Sequence, residues 1–445
     1  MGQHVVVDPG FGALLNELRT QRNWSLRGLG ERVHCSHGHI WDLEHGQKRP
    51  SPAVAALLDE ALDAGGRLSA MVRTAGQASM SPHDGAPGST APVEEGFGGA
   101  LQLWRSDLER QDFLTTATFD PATFLVPALR WLTAPSTPGP GSVGVRVVGM
   151  PDVEMIRQML GAFRTVDNQY GGGYVRERVV RFLHHDVAEL LQGQYDTRTG
   201  AALLSAAAEA TQLAGWATYD VGRHALAQRY MVQALHLAGA AEDRPLGAEI
   251  LAAMSHQAAY LRSGDEAIDL ARAAGRAATE AGVGAIAAEA AVLEAQGHAV
   301  NSSASATASS LDRAERLFDQ AERATDPQWL GYFDEAYLAA KFGQTFTALG
   351  RGDLAVRFAE RSLDMDARYA RGRMFNLALV ARAHAQDGNV EEAAAAGQKA
   401  VEAAEGIDSA RSRDYLAEIA QRLAPHAGID AVDTYQTRAH DLIAR

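Results

Sequence analysis

Side chains suited to gripping an anion cluster between Trp24 and Pro50, in WSLRGLGERVHCSHGHIWDLEHGQKRP. Arg27, Arg32, Gln47, Lys48 and Arg49 are the cations and the amide there that can hydrogen-bond phosphate oxygens. Ser25 and Ser36 are good N-caps, and the backbone N–H groups of two helix N-termini add further donors for an anion. These groups need two short helices to hold them. Trp24 with Leu29, and Cys35 with Ile40, have the spacing of hydrophobic staples around the two caps. Leu29 and Val33 lie four apart and Ile40 and Leu43 three apart, so each helix carries one apolar stripe. Gly30 falls where two crossing helices need a small residue. Two such helices with a tight turn between them form a DNA-reading unit once neighbouring helices complete the core.

Ser25, Leu29, Gly30, then Ser36, Ile40, Leu43, Glu44, Gly46, Gln47-Lys48-Arg49 and Pro50 together resemble the phage-repressor/Cro-type (XRE) helix-turn-helix family. The resemblance covers about the first 75 residues. Two positions depart from the pattern: His34 replaces the usual glycine of the turn, and Leu26 stands where many members carry a polar glutamine. The resemblance implies that His37, Gly38, His39, Trp41 and Asp42 face the major groove of a double-stranded operator. Asp42 would accept from a cytosine amino group, Trp41 would meet a thymine methyl, and Gly38 would permit close approach. Ser25, Arg27, Arg32, Ser36, Gln47, Lys48 and Arg49 complete the expected DNA-binding set, with Lys48 and Arg49 in the loop where the family grips backbone.

The charge balance constrains how such a head works. The chain of 445 residues has a net charge of −14, yet residues 1–75 hold eight Lys/Arg against eight Asp/Glu, and the remainder 33 against 47. A neutral reading head on an acidic body binds DNA weakly as a monomer, because phosphate neutralisation supplies much of the affinity. A homodimer on a palindromic site is therefore expected. The lone cysteine, Cys35, excludes an internal disulfide and a Cys-based zinc site, and its place in the motif reads as core. No apolar run approaches the roughly 18 residues of a membrane span and no leader opens the chain, so the expectation is a cytoplasmic protein with no membrane partner.

The chain then divides by composition. Residues 1–75 read as a five-helix bundle, closed by a helix opening at Ser51-Pro52 and a short one through Leu68 and Met71. Residues 76–99, rich in Gly, Pro and Ser, read as a flexible linker. Residues 100–150, with LQLWRSDLERQDFL and FLVPALRWL, read as a helical connector that docks on the body or dimerises. From 151 to 445 the pattern is helix, tight turn, helix. Small residues recur seven apart at Ala227/Ala234, Ala267/Ala274, Ala314/Ala321, Ala355/Ser362 and Ala393/Ala400, each pair preceded by a turn. The widest interval is expected to hold a low-complexity loop, Asn301–Ser310. This repeat resembles the tetratricopeptide repeat with a longer period, giving an all-α fold: a helix-turn-helix bundle plus a TPR-like helical superhelix. The combination is similar to a regulator type common in actinobacteria, some of whose relatives are gated by secreted signalling peptides.

In such an array the first helix of each pair lines the inner face, which makes His256, Gln257, Tyr260, Tyr337 and Asn376 candidates for holding a peptide or small-molecule effector. His184-His185-Asp186 and Glu189 share a helix face but lack further ligands, so no metal is expected. Gly171-Gly172-Gly173 lacks the Lys-Ser/Thr of a phosphate loop. With no catalytic constellation, the chain reads as a non-enzyme without a cofactor. Two functions follow: a dimeric, effector-responsive transcription regulator, or a protein-docking scaffold tethered to DNA by its head.

Overall fold

Alanine-rich amphipathic segments leave the chain little choice but helix, and the computed structural model is all-α, with an N-terminal helix-turn-helix region followed by a helical repeat-like region. It describes residues 5–7, 11–22, 24–33, 35, 37–45, 48, 50, 52–62, 64, 67–74, 91–109, 118–133 and 142–444. Two compact units emerge, Met1–Ser89 and Thr90–Arg445.

The first unit holds α1 (Phe11–Gln21), α2 (Leu26–Arg32), α3 (His37–Glu44), α4 (Pro52–Ala61) and α5 (Arg67–Ala70). Their stripes meet in one core of Phe11, Leu15, Leu18, Leu29, Val33, Ile40, Leu43, Leu58, Leu62 and Leu68, all buried. A short antiparallel pair frames the bundle, β1 (Val5–Val7) on β2 (Val72–Thr74), with Val6 opposite Arg73. The helical reading did not foresee it. Gly30 is required where α2 meets the turn, since a Cβ there would lie 2.5 Å from the Cys35 carbonyl oxygen. Arg19 does not project from the exposed side of α1. Its Nη2 donates to Glu44 Oε2 at 2.9 Å and its Nη1 to the Trp24 carbonyl at 2.8 Å, locking α1 onto the end of α3.

The second unit begins earlier than composition suggested. Helix α6 runs Ala91–Leu108, so residues 91–99 of the expected linker are helical; Pro92 falls in the first turn, where its missing N–H costs nothing. The connector docks on the body: Trp104 is fully buried, and Asp107 accepts from the Tyr230 hydroxyl at 2.6 Å. After a 3-10 turn at Pro121–Phe124, α7 (Leu125–Thr133) buries Trp131 beneath the Arg244 guanidinium, 5.0 Å from the ring centre. Strand β3 (Ser142–Val143) pairs antiparallel with β4 (Gln194–Tyr195). Between them run α8 (Met150–Tyr170), α9 (Gly172–Phe182), a π-helical turn (Leu183–Val187) and α10 (Ala188–Leu191).

The array follows as α11 (Thr197–Asp220), α12 (His224–Ala240), α13 (Arg244–Tyr260), α14 (Gly264–Glu280), α15 (Gly284–Val300), α16 (Ala304–Gln320), α17 (Glu335–Ala348), α18 (Gly352–Arg361), α19 (Ala370–Asp387), α20 (Val390–Ala404), α21 (Ala410–Leu423) and α22 (Asp430–Ile443). From α12 to α16 every helix has 17 residues and a left-handed residue recurs at each turn: Gly222, Glu242, Arg262, Gly282 and Ser302. This strict period corrects the reading of Asn301–Ser310 as a loop. Only its first three residues form the turn, and Ala304–Ser310 belong to α16. The pair on that helix is accordingly Thr307/Ala314, both fully buried, in place of Ala314/Ala321. A threonine in the small-residue slot hid the register. The extra length lies after α16, in the 3-10 turns Arg323–Thr325 and Gln328–Tyr332.

The junction of α8 and α9, which precedes the array, closes against the turn before α21, near its far end. Gly173 N–H donates to the Asp408 carbonyl at 3.0 Å, and Asp408 N–H to the Tyr170 carbonyl at 2.8 Å. Gly171 makes this possible: it has φ of +87°, and a Cβ there would fall 2.6 Å from the Asp408 carbonyl oxygen. Beneath the contact, Arg371 Nη1 reaches Asp167 at 3.0 Å and Asp220 at 3.0 Å, while Ser409 Oγ donates to Asp220 at 3.0 Å.

Candidate nucleic-acid interface and inner cavity

In the first unit the structure builds the expected helix pair. Ser25 is extended, at φ −73° and ψ 160°, and its hydroxyl accepts from Gly28 N–H at 3.0 Å, capping α2. Arg27 is exposed, and Arg32 lies over the Trp24 ring at 4.2 Å while donating to the Gly28 carbonyl at 2.8 Å. On α3, His37 and Gly38 are exposed and His39 half-buried, with nothing within 4 Å of a Cβ placed at Gly38. Trp41, 44% exposed, stacks on His45 with ring centres 4.2 Å apart. Asp42 and Lys48, assigned separate tasks by the sequence, pair with each other at 2.8 Å. The Lys48 backbone N–H also donates to the Asp42 carbonyl at 3.2 Å, so the loop folds back on the helix. Ser36, Gln47 and Arg49, and the turn residue His34, lie outside the described residues. Leu26 is half-buried against the head's core, an apolar use of a site that is polar in the resembled pattern. Cys35 is free and only half-buried.

In the second unit a cavity of about 600 Å³ opens on the concave face. It is lined from α13 (His256, Ala259, Tyr260), α15 (Gln296, Val300), α17 (Gln344, Ala348), α19 (Arg382) and α21 (Tyr415, Glu418, Arg422), among others. These are the first helices of successive pairs. Two of the five effector candidates, His256 and Tyr260, face it. The other three serve the framework. Gln257 is buried and its Nε2 donates to the His224 carbonyl at 2.9 Å. Asn376 is buried and donates to the Ser362 carbonyl at 2.7 Å. Tyr337 donates to Glu289 at 2.8 Å.

A polar network lies under the cavity floor. Tyr332 donates to Glu249 at 2.7 Å and to Glu289 at 2.8 Å, and Lys341 Nζ sits 2.6 Å from His256 Nδ1. Burial raises both carboxyls above their usual range, and Glu289 pushes Glu249 further still. Burial lowers Lys341 to about 7, against the pull of Glu289, and lowers His256 well below its usual value, helped by Lys341 and Arg411. A desolvated charge is costly wherever its partner does not compensate it, and all four shifts run toward the neutral form.

Sequence reasoning missed Gln296, Gln344, Arg382, Asp414, Tyr415, Glu418 and Arg422. A usable signal existed: a step of 40 residues carries His256 and Tyr260 onto Gln296 and Val300, so the lining is one column of equivalent positions. Among the described residues, no group of His, Cys, Asp or Glu could hold a metal ion, and His184-His185-Asp186 fall in the π-helical turn. No helix among them is long and apolar enough to cross a membrane.

With this geometry in hand, comparison with known proteins places the head. A family described as a helix-turn-helix domain matches residues 11–70, the span from α1 to the end of α5. No curated protein matches the chain. The head is thus an XRE-like helix-turn-helix domain, which points to a DNA-binding regulator.

Proposed function

We propose that the chain is a cytoplasmic, dimeric transcription regulator whose TPR-like array binds a small effector and thereby sets operator affinity. The reading rests above all on the cavity: equivalent positions of five successive first helices converge on one volume, within the roughly 300–1,000 Å³ typical of small-molecule sites. The head reads a palindromic site through His37, Gly38, His39, Trp41 and Asp42, and grips phosphates with Arg27, Arg32, Gln47, Lys48 and Arg49, aided by Ser25 and Ser36 and by the N-termini of α2 and α3. Dimerisation is supported by α7, whose Val126 and Leu129 lie three apart and are 56% and 62% exposed. Two heads double the number of phosphates gripped, which a head without net positive charge needs.

The test is salt-dependent binding of the full chain to its own promoter DNA beside a Lys48→Ala/Arg49→Ala variant. Removing two phosphate-binding cations from each head lowers affinity and makes the salt slope shallower by roughly 0.9 for every phosphate no longer neutralised. Equal affinity and slope for the two proteins would remove the head from DNA binding.

A further inference from the structure

The cavity carries a charge opposite to that of the chain. Three guanidinium groups (Arg262, Arg382, Arg422) and two carboxylates (Asp414, Glu418) line it, in a chain of net charge −14. Both carboxylates are engaged. Glu418 is shared between Arg382 at 2.9 Å and Arg422 at 2.8 Å, and Asp414 accepts from the Tyr260 hydroxyl at 2.9 Å. The cations keep unused capacity. A guanidinium offers five N–H donors. Arg382 faces Glu418 through Nε, and neither of its Nη groups has a hydrogen-bond partner among the described residues. The side chain of Arg262, exposed at its left-handed turn, has no ion-pair or hydrogen-bond partner among them; only its backbone N–H is used, donating to the Ala259 carbonyl at 3.1 Å. Aromatic walls stand beside these donors. The Tyr260 and Tyr415 rings are 6.2 Å apart at 80°, and the Arg382 guanidinium lies 5.2 Å over Tyr415.

We propose that the cavity binds a small aromatic carboxylate, its ring against Tyr260 and Tyr415 and its anionic group on the Nη donors of Arg382, with Arg262 at the rim. This rests on the effector-binding reading above and names the ligand's chemistry. A planar anion matches the fork of a guanidinium, and partial desolvation in a concave site strengthens the attraction. The apolar stretch of the lining, Ala259, Val300 and Ala348, suits a compact ring system. The hydrogen-bonded amides of Gln296 and Gln344, 2.9 Å apart, offer its polar edge a partner.

Two dyes that differ by one charge test the proposal on the full chain: 8-anilinonaphthalene-1-sulfonate, and N-phenyl-1-naphthylamine, which lacks the sulfonate. A charge-assisted hydrogen bond is worth about tenfold or more in affinity. The sulfonate dye should bind about tenfold tighter than the neutral one. Arg382→Met should remove most of that advantage and leave the neutral dye within about twofold. Arg262→Gln, at an exposed position whose loss leaves no buried group unpaired, should weaken only the anionic dye. Ala348→Trp, which fills the cavity, should abolish both. Equal binding of the two dyes, with no response to either arginine variant, would overturn the anion assignment while leaving a small-molecule cavity. Sulfonate binding that survives Ala348→Trp would place the anion elsewhere and also overturn it. Failure of both dyes to bind would bring down the effector reading itself.

Discussion

Asp220 is the residue on which closure of the array should depend most. It is 1% exposed and accepts from Gly172 N–H at 2.9 Å, Ser409 Oγ at 3.0 Å and Arg371 Nη1 at 3.0 Å, with Arg411 Nη1 at 3.7 Å. Those donors belong to the start of α9, the start of α21 and its preceding turn, and the start of α19. Burial alone would raise its pKa, but Arg371, Arg411 and the Gly172 N–H outweigh burial and hold it below the usual carboxylate range. A depressed folded pKa means that the stabilisation is fully present at neutral pH and is lost as pH falls through that value. Asp220→Ala leaves Arg371 with Asp167 alone and Arg411 with the Tyr219 and Phe375 rings, each 4.6 Å away. Breaking a buried ion pair from one side costs about 3–5 kcal/mol, and an orphaned buried N–H about 1–3 kcal/mol; because both relax together, about 4–6 kcal/mol is expected. Asp220→Asn keeps an acceptor oxygen in place and should cost roughly half as much. Hydrogen exchange is the assay, since it separates local opening from global unfolding. Amides 171–173 and 408–412 should exchange faster in the alanine variant by a factor of hundreds or more, while α14 and α15 change little. Unchanged exchange at both ends of the closure would show that apolar packing alone holds the array shut.

Two further outcomes follow from single residues. Ser302 holds φ of +57° at one of the regular turns, a conformation that costs a side-chain-bearing residue about 1–2 kcal/mol, so Ser302→Gly should raise the thermal midpoint of the second unit. A midpoint that falls would mean the serine contributes interactions of its own. His256→Asn tests the network under the cavity through pH. The folded pKa lies well below the unfolded one, so as pH drops below about 6.5 the unfolded chain takes up a proton that the folded chain refuses. The wild type should lose up to about 1.4 kcal/mol per pH unit relative to the variant over that window, read from urea midpoints between pH 6.5 and 5. Parallel midpoints would show that the imidazole is protonated in the folded state.

Periodicity carried most of the fold because short helices announce themselves locally. The head's stripes, Leu29 with Val33 and Ile40 with Leu43, went to the core as spaced, and Gly30 sits at a backbone contact that excludes any side chain. What stayed hidden depends on partners distant in sequence. Arg19 looks like a surface cation until Glu44 is brought beside it, and the ion pair between Asp42 and Lys48 shows only once the loop folds back on the helix. The β1–β2 pair joins segments too short to carry a pattern. Thr307 shifted the register because threonine has a hydroxyl, although its shape fits the small slot; its Oγ1 donates to the Ser303 carbonyl at 2.9 Å and so satisfies itself within α16. In the cavity, lining residues vary in type along the column while their positions repeat, so a search by residue type found His256 and Tyr260 and passed over Arg382 and Glu418. Gln257 and Asn376 were chosen for amides that the framework uses.

The closure and the cavity share helices, and this would tie binding of the proposed ligand to the state of the array. Helix α19 supplies Arg371 to the ion network and Arg382 to the cavity, and α21 supplies Arg411 to the first and Tyr415, Glu418 and Arg422 to the second. Tyr260 bridges α13 to α21 directly through Asp414 at 2.9 Å. A ligand seated on Arg382 and Tyr415 therefore binds the closed array better than an open one, and differential affinity is what a ligand needs to shift an equilibrium. Linkage makes the coupling reciprocal: whatever factor the ligand adds to closure, closure adds to affinity. Asp220→Ala, at a residue that does not itself line the cavity but reaches Tyr260 through Arg411, should then weaken binding of 8-anilinonaphthalene-1-sulfonate, and the dye should slow exchange at 171–173 and 408–412 in the wild type. Dye affinity indifferent to Asp220→Ala would separate the two features and leave closure as a matter of stability alone.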